Sequence, residues 1–396
     1  MTQNKRTKPE GERPRVKIGS PSSVLAVVPA LIGFHPDRSL VVLGIGAPRA
    51  RVRMTIRFDL PDPPDPAATG EIVEHVRTML VREGGDTAIL IGYGPGPLVT
   101  PLVDSLGPAL REAGIKIRDM LRVEDGRYWS YVCQDPRCCP PEGVAFDVAG
   151  HPLTSRLAAS GLVPHRDRAS MAATLDSDPE LAARVAEAME LVAETMTAPK
   201  LTDGLRGGRH DEMFGELAAT GRRLVSEALA RYVAGDRLTE PLDIAWLGML
   251  LSLLPVRDDA WARMDPAHHQ AHRRLWIDLV RVLPQEWVPA PASLLAFVCW
   301  QAGDGAMATI AAERALKADP EYSMAHLISD AVLAGLPPAA ARLPMTPEEV
   351  EASYAEQIRR RPRRPSRRDR GRSPAEPVPG PADTAAPPAA TRRSGR

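Results

Sequence analysis

The signal for β-structure in this chain of 396 residues stops near Gly150, and that one-sided distribution limits the available folds more than any motif does. Ser39 to Ile45 and Ala50 to Leu60 are apolar, β-branched runs separated by Gly46-Ala47-Pro48, the pattern of two strands joined by a turn. Helical spacing over 67–83, a strand over 87–91, helical spacing over 98–113 and a strand over 116–124 follow. Such alternation predicts βαβ crossovers and a partly parallel sheet. Asp125-Gly126 then signals a tight hairpin into a period-2 run over 127–133. Ahead of these, Arg13 to Ile18 is a short strand candidate, and Ser20-Pro21 caps a helix that runs to Gly33 with Pro29 inside it.

Beyond Gly150 only helical spacing remains. Helix starts are expected at Asp167, Asp178-Pro179, Asp211, Thr239, Asp258 and Pro266. Across 291–337 a helix, a Gly303 turn, a second helix and Asp319-Pro320 resemble a tetratricopeptide repeat. Leu295, Ala296, Gly303, Ala308, Ala315 and Pro320 fall on its characteristic positions. Ala292, Cys299 and Ala312 stand where that repeat carries large side chains. The expected organisation is therefore a disordered tail over 1–12, an α/β domain over 13–150 and an all-α, TPR-like domain over 151–340. A short helix or linker over 341–358 and a disordered Arg/Pro-rich tail over 359–396 complete it.

Charge divides the chain in the same way. The formal net charge is zero, yet residues 359–396 carry +9, residues 1–17 carry +4 and the intervening body carries −13. Basic tails on an acidic globule admit nucleic acid as a partner through the Arg-rich end. The polar first fifteen residues lack a secretory leader, and the apolar run over 244–256 is too short to span a bilayer, so a cytoplasmic protein without membrane contact is expected. Four cysteines are too few for a disulfide scaffold.

Three of those cysteines lie in one stretch, Gly126 to Gly143, with Trp129, Tyr128 and Tyr131. Cys133, Cys138 and Cys139 sit around Asp135-Pro136 and ahead of Pro140-Pro141, which should gather them at a sheet end. Three readings stand side by side. Thiolates are zinc ligands, with His151, His35 or Asp135 as a fourth donor. Two of them beside Arg137 would make a redox pair. Small soft side chains would also pack a turn. No other cofactor is implied.

Further candidates are weaker in chemical content. His35, Asp37 and Arg38 connect the first helix to a central strand, and Arg57 and Asp59 end the next strand, so both groups belong at a sheet end where ligands bind. An Arg–Asp pair there serves structure equally well. Gly92-Tyr93-Gly94-Pro95-Gly96 has the position of a phosphate-binding turn, but two nearby prolines remove amide donors and a tight βα turn fits better. His268, His269 and His272 read as a solvated helix face.

The run Leu31 to Val42 containing Gly33-Phe34-His35-Pro36-Asp37-Arg38 resembles an actinobacterial family known as domain of unknown function 4192. So do Arg57-Phe58-Asp59-Leu60-Pro61, Trp129 to Cys133 with Cys138 to Gly143, and Gly303-Asp304-Gly305 with Asp319-Pro320. The resemblance covers about residues 14–340 and implies no activity, cofactor or catalytic residue. No nucleophile elbow, Walker motif or carboxylate pair emerges, so a non-enzymatic binding or scaffold protein with a protein partner on its helical surface is expected. The alternative is a small-ligand or enzymatic site at the sheet end that uses His35, Asp37, Arg38, Arg57, Asp59, Trp129 and Tyr131 near the cysteines.

Overall fold

The computed structural model describes residues 18–46, 51–197, 210–340 and 345–360. Its first helix, α1 (Pro21–Ile32), starts where Ser20 Oγ accepts the Ser23 N–H at 3.3 Å. It continues past Pro29 to a left-handed Gly33, so the proline neither stops nor shortens it. Strands β1 (Ser39–Gly46) and β2 (Arg51–Asp59) pair antiparallel. Most of the turn expected between them lies outside the described residues, as do residues 13–17 of the first strand candidate.

α2 (Pro66–Arg82), β3 (Thr87–Tyr93), α3 (Gly96–Glu112) and β4 (Lys116–Glu124) follow in the expected order. The six-stranded sheet has the order β2-β1-β3-β4-β5-β6, with β5 at Arg127–Ser130 and β6 at Val144–Ala145. Only β3 and β4 run parallel; every other neighbouring pair is antiparallel. The α2 crossover therefore carries the chain over β1, which lies between β2 and β3. The β4–β5 turn has positive φ at both Asp125 and Gly126, 46° and 71°, as a two-residue hairpin of primed type requires.

Every residue of β1 is buried, and its alternation splits the core. Leu40 and Val42 join Leu90 and Met120 under Val76 and Leu80 of α2 and the apolar face of α3. Val41, Leu43 and Ile45 face the other way, with Ile89, Ile91 and Leu121, onto Val24, Leu25 and Val28 of α1. That second cluster continues through Met171 and Leu175 into the helices beyond, so sheet and helical region share one apolar core.

The helical region comprises α4 (Pro152–Ala158), α5 (Arg168–Ala172), α6 (Pro179–Thr197), α7 (His210–Val233), α8 (Pro241–Leu250) and α9 (Leu254–Ala262). α10 (His269–Val282), α11 (Pro289–Gln301), α12 (Gly305–Ala318) and α13 (Ser323–Leu333) follow. In the α11–α12 hairpin Leu295, Ala296, Ala308 and Ala315 are all fully buried, and Gly303 takes positive φ at the turn. The end of α13 returns to the sheet domain, where the Leu333 carbonyl meets His75 at 2.7 Å and the Gly335 carbonyl accepts from Arg82 at 2.7 Å. α14 (Pro347–Arg360) docks through buried Val350, an Arg222–Glu351 ion pair and the Tyr354 hydroxyl donated to Asp258. The disorder expected over 1–12 and 359–396 falls outside the described residues, except that α14 extends through the first two residues of the second stretch, Arg359 and Arg360.

α3 approaches β3 so closely at Gly92 that a Cβ there would enter the Val99 side chain. Gly92→Ala is expected to force the helix away and lower stability by about 1–3 kcal/mol, as overpacking does. Equilibrium urea unfolding of the two proteins measures the difference, and an unchanged midpoint would contradict this account of the helix–strand contact.

Candidate functional site

The C-terminal ends of β3 and β4 are where a parallel sheet leaves room for a ligand. Between β3 and α3, the Gly94 N–H is donated to the Val123 carbonyl at 2.9 Å, and Pro95 and Pro97 carry no N–H. This Gly-rich turn therefore offers few amides to a phosphate. Its tightness instead opens an outward cleft of about 440 Å³ lined by Gly96, Thr100, Arg122, Glu124, Trp129 and Tyr131 among others. Alternation along β4 puts Arg122 and Glu124 on the α3 side, and the β4–β5 register sets Arg122 opposite Trp129. The Arg122 guanidinium stacks 3.8 Å from the Trp129 ring centroid and donates to Glu124 at 2.6 Å. At the other wall the hydroxyls of Tyr131 and Thr100 are 2.8 Å apart. Burial pushes the Tyr131 phenol upward, with the Thr100 bond opposing, so the group stays a neutral donor.

Trp129 and Tyr131 thus line one cleft together with Gly96 of the Gly-rich turn and with Arg122, Glu124 and Thr100, three residues that no motif singled out. A signal existed: the end of the 116–124 strand and the Asp125-Gly126 hairpin together dictate that Arg122 faces Trp129. The other sheet-end candidates lie at the same end of the sheet without lining the cleft. Ser39 is level with both Asp59 and Tyr93, which places His35 to Arg38 beside the β3 turn. Both arginines are paired with nearby carboxylates. Arg38, in the left-handed region at φ 42°, pairs with Asp62, while Asp37 accepts the Arg38 N–H at 2.9 Å. Arg57 pairs with Asp59, donates to Ser39 Oγ at 3.0 Å and lies 5.5 Å from the Phe34 ring. His35 is exposed, and its backbone N–H is donated to the His165 carbonyl at 3.0 Å.

The cysteines stand elsewhere, because β5 runs back from the cleft end. Ser130 is level with Leu121, and the Tyr131 N–H reaches the Met120 carbonyl at 2.8 Å. The strand expected through Cys133 ends at Ser130. There the serine hydroxyl accepts the N–H groups of Val132 and Cys133, each at 3.2 Å, and donates to Asp119 at 2.9 Å, drawing the chain out of the ladder. Cys133, Cys138 and Cys139 converge with their sulfurs within 4.8 Å of one another. Cys138 is exposed and the other two are partly exposed. The Asp135 N–H and then the Cys139 thiol lower the Cys133 pKa, whereas desolvation and the Cys133 contact push Cys139 up to about 12.

A family profile described as a domain of unknown function (DUF4192) matches residues 21–339. The chain belongs to this family. The match spans the sheet, the cleft, the cysteine loop and the helices through α13. No curated protein and no solved structure matches the chain. No helix among the described residues is long and apolar enough to cross a membrane.

In this DUF4192 chain the histidine trio departs from a uniformly solvated face. His268 is exposed and His269 half-buried, but His272 is only 3% exposed on the inner side of α10. Burial lowers its pKa to about 4 from 6.5, against the pull of Asp265 and aided by His268 and His269. The folded state therefore holds His272 neutral where the unfolded chain would bind a proton. Stability contributed by the neutral ring is full above pH 6.5 and is lost as pH falls towards 4. His272→Gln is expected to flatten the pH dependence in that window by up to one proton, about 1.4 kcal/mol per pH unit. Urea unfolding from pH 4 to 7 reads this slope directly, and parallel curves for the two proteins would refute it.

Proposed function

We propose that the protein is a non-enzymatic binding protein and that its ligand is a small organic anion taken up in the cleft at the ends of β3 and β4. The observation that carries this reading is Arg122, which is held in the cleft by the Trp129 ring beneath it and by Glu124 beside it. A guanidinium fixed by stacking loses little freedom when it receives a carboxylate or phosphate. The incoming anion would take the place of Glu124, with Thr100 and Tyr131 as neutral hydrogen-bond partners at the opposite wall. Among the described residues no histidine or cysteine lines the cleft, and its Glu124 and Tyr131 are engaged with Arg122 and Thr100, an arrangement that suits holding a ligand.

A second reading gives the α11–α13 hairpins a protein partner, and the exposed side chains of Leu327 and Leu333 on α13 and of Leu336 just after it support it. Nucleic-acid contact through the Arg-rich 359–396 segment rests on charge alone.

Thermal unfolding in a panel of inorganic phosphate, citrate and nucleoside monophosphates tests the cleft. At least one anion is expected to stabilise the protein, by about 2.7 kcal/mol at a hundredfold excess over its Kd. Arg122→Ala should cancel that gain. A gain that survives in Arg122→Ala, or no gain with any anion, would remove the cleft reading.

A further inference from the structure

The Tyr131 to Gly143 connection has little apolar material with which to hold its shape. Most of its side chains are exposed, and its sequence carries two adjacent prolines, an Asp-Pro step and three cysteines. Its order comes from polar contacts. Asp135 and Arg137 form an ion pair, the Asp135 carbonyl accepts the N–H groups of Cys138 and Cys139 at 3.0 and 2.8 Å, and Trp129 Nε1 is donated to the Pro141 carbonyl at 2.9 Å. That double acceptance at Asp135 winds the chain into a turn. Cys138 and Cys139, consecutive in sequence, can then direct both sulfurs to the side where Cys133 stands.

We propose that Cys133, Cys138 and Cys139 form a thiolate site for a divalent zinc ion, with the fourth position open to water. Tetrahedral zinc with sulfur at about 2.3 Å places its sulfurs about 3.8 Å apart. The three sulfurs already lie inside a 4.8 Å limit, so small side-chain rotations complete the site. The Asp135 backbone N–H favours the thiolate form of Cys133, the kind of outer influence that stabilises a metal-bound sulfur. Binding exchanges three thiol protons for one zinc ion. The complex carries one net negative charge, and its affinity rises with pH. Among the described residues no other group of three or more histidine, cysteine or carboxylate side chains converges in this way. The ion would supply the folding energy that the connection cannot draw from an apolar core. This inference stands independently of the anion cleft.

The full chain, purified under reducing conditions from zinc-supplemented culture, should contain about one zinc per chain by elemental analysis. Cys133→Ser, Cys138→Ser and Cys139→Ser should each reduce that content at least tenfold, and Cys299→Ala should leave it unchanged. Because a ligand variant can lose its metal by misfolding, stripped wild-type protein should also be refilled with cobalt. A thiolate-to-cobalt charge-transfer band with the strong visible absorption of a tetrahedral ion is expected. Zinc retained by all three serine variants, or wild-type protein free of zinc with all three thiols titratable, would overturn the proposal. So would two of the three thiols appearing only after reduction, which would identify a disulfide pair instead.

Discussion

The architecture rests on the complete burial of β1. A strand that hides all eight of its residues needs an apolar layer on each face, and each buried Leu, Val or Ile contributes about 1.5–3 kcal/mol relative to exposure. The two layers come from different parts of the chain. α2 and α3 arise locally, from the crossovers around β3, and cover Leu40 and Val42. The opposite face takes α1 and then the helical region, whose core is continuous with Val41, Leu43 and Ile45. Neither half has a finished core alone. The Phe34–His165 bridge ties the start of the helical region to the α1–β1 connection, and the contacts from the end of α13 to His75 and Arg82 tie its far end to α2.

Antiparallel pairing of β1 with both neighbours also decides where chemistry gathers. It puts the start of β1 and the ends of β2, β3 and β4 at one end of the sheet, so four connections from different parts of the sequence meet there. Across that end the electrostatics differ. Near β1 and β2, Arg38 and Arg57 are each paired with an aspartate, and such partly exposed pairs contribute little stability. At β4, Arg122 has both a carboxylate and an aromatic face, and it borders open space. That distinction could not be drawn from the residues, since Arg-x-Asp in β2 and Arg-x-Glu in β4 look equivalent as sequence.

Much of the fold was legible because local rules dominated it. Ser20-Pro21, Asp125-Gly126 and Asp178-Pro179 fix caps and a turn through contacts within a few residues, and those elements stand where their residues place them. The expected parallel character was realised only in β3 and β4, because periodicity does not reveal that β1 inserts between β2 and β3. The two-residue β6 is too short to have a period, and β5 ends early through the Ser130 hydroxyl, which competes with the ladder for two N–H groups. His272 was misread for a related reason. Its neighbours His268, His269, Arg273 and Arg274 are polar, and only the packing of α10 reveals that position 272 faces inward. At the cysteines, spacing indicated proximity, while their degree of exposure is a property of the folded chain that spacing does not carry.

Trp129 joins the two unusual features of the sheet domain. One face of its ring supports Arg122 in the cleft, and its Nε1 is tied to Pro141 at the far end of the cysteine connection. Gly143, at φ 79°, leaves the space the ring occupies; a Cβ there would stand 2.5 Å from Trp129 Cε2. The ring is thus positioned by the connection and not by a buried core. Whatever orders residues 131–143 also sets the height of the cleft wall and the freedom of Arg122. The Pro141 carbonyl, the indole and the Arg122 guanidinium form a chain of direct contacts from the connection to the cleft. The cleft can be rigid only to the extent that the cysteine connection is, which is why a surface loop without apolar support occupies so central a place in the organisation of this chain.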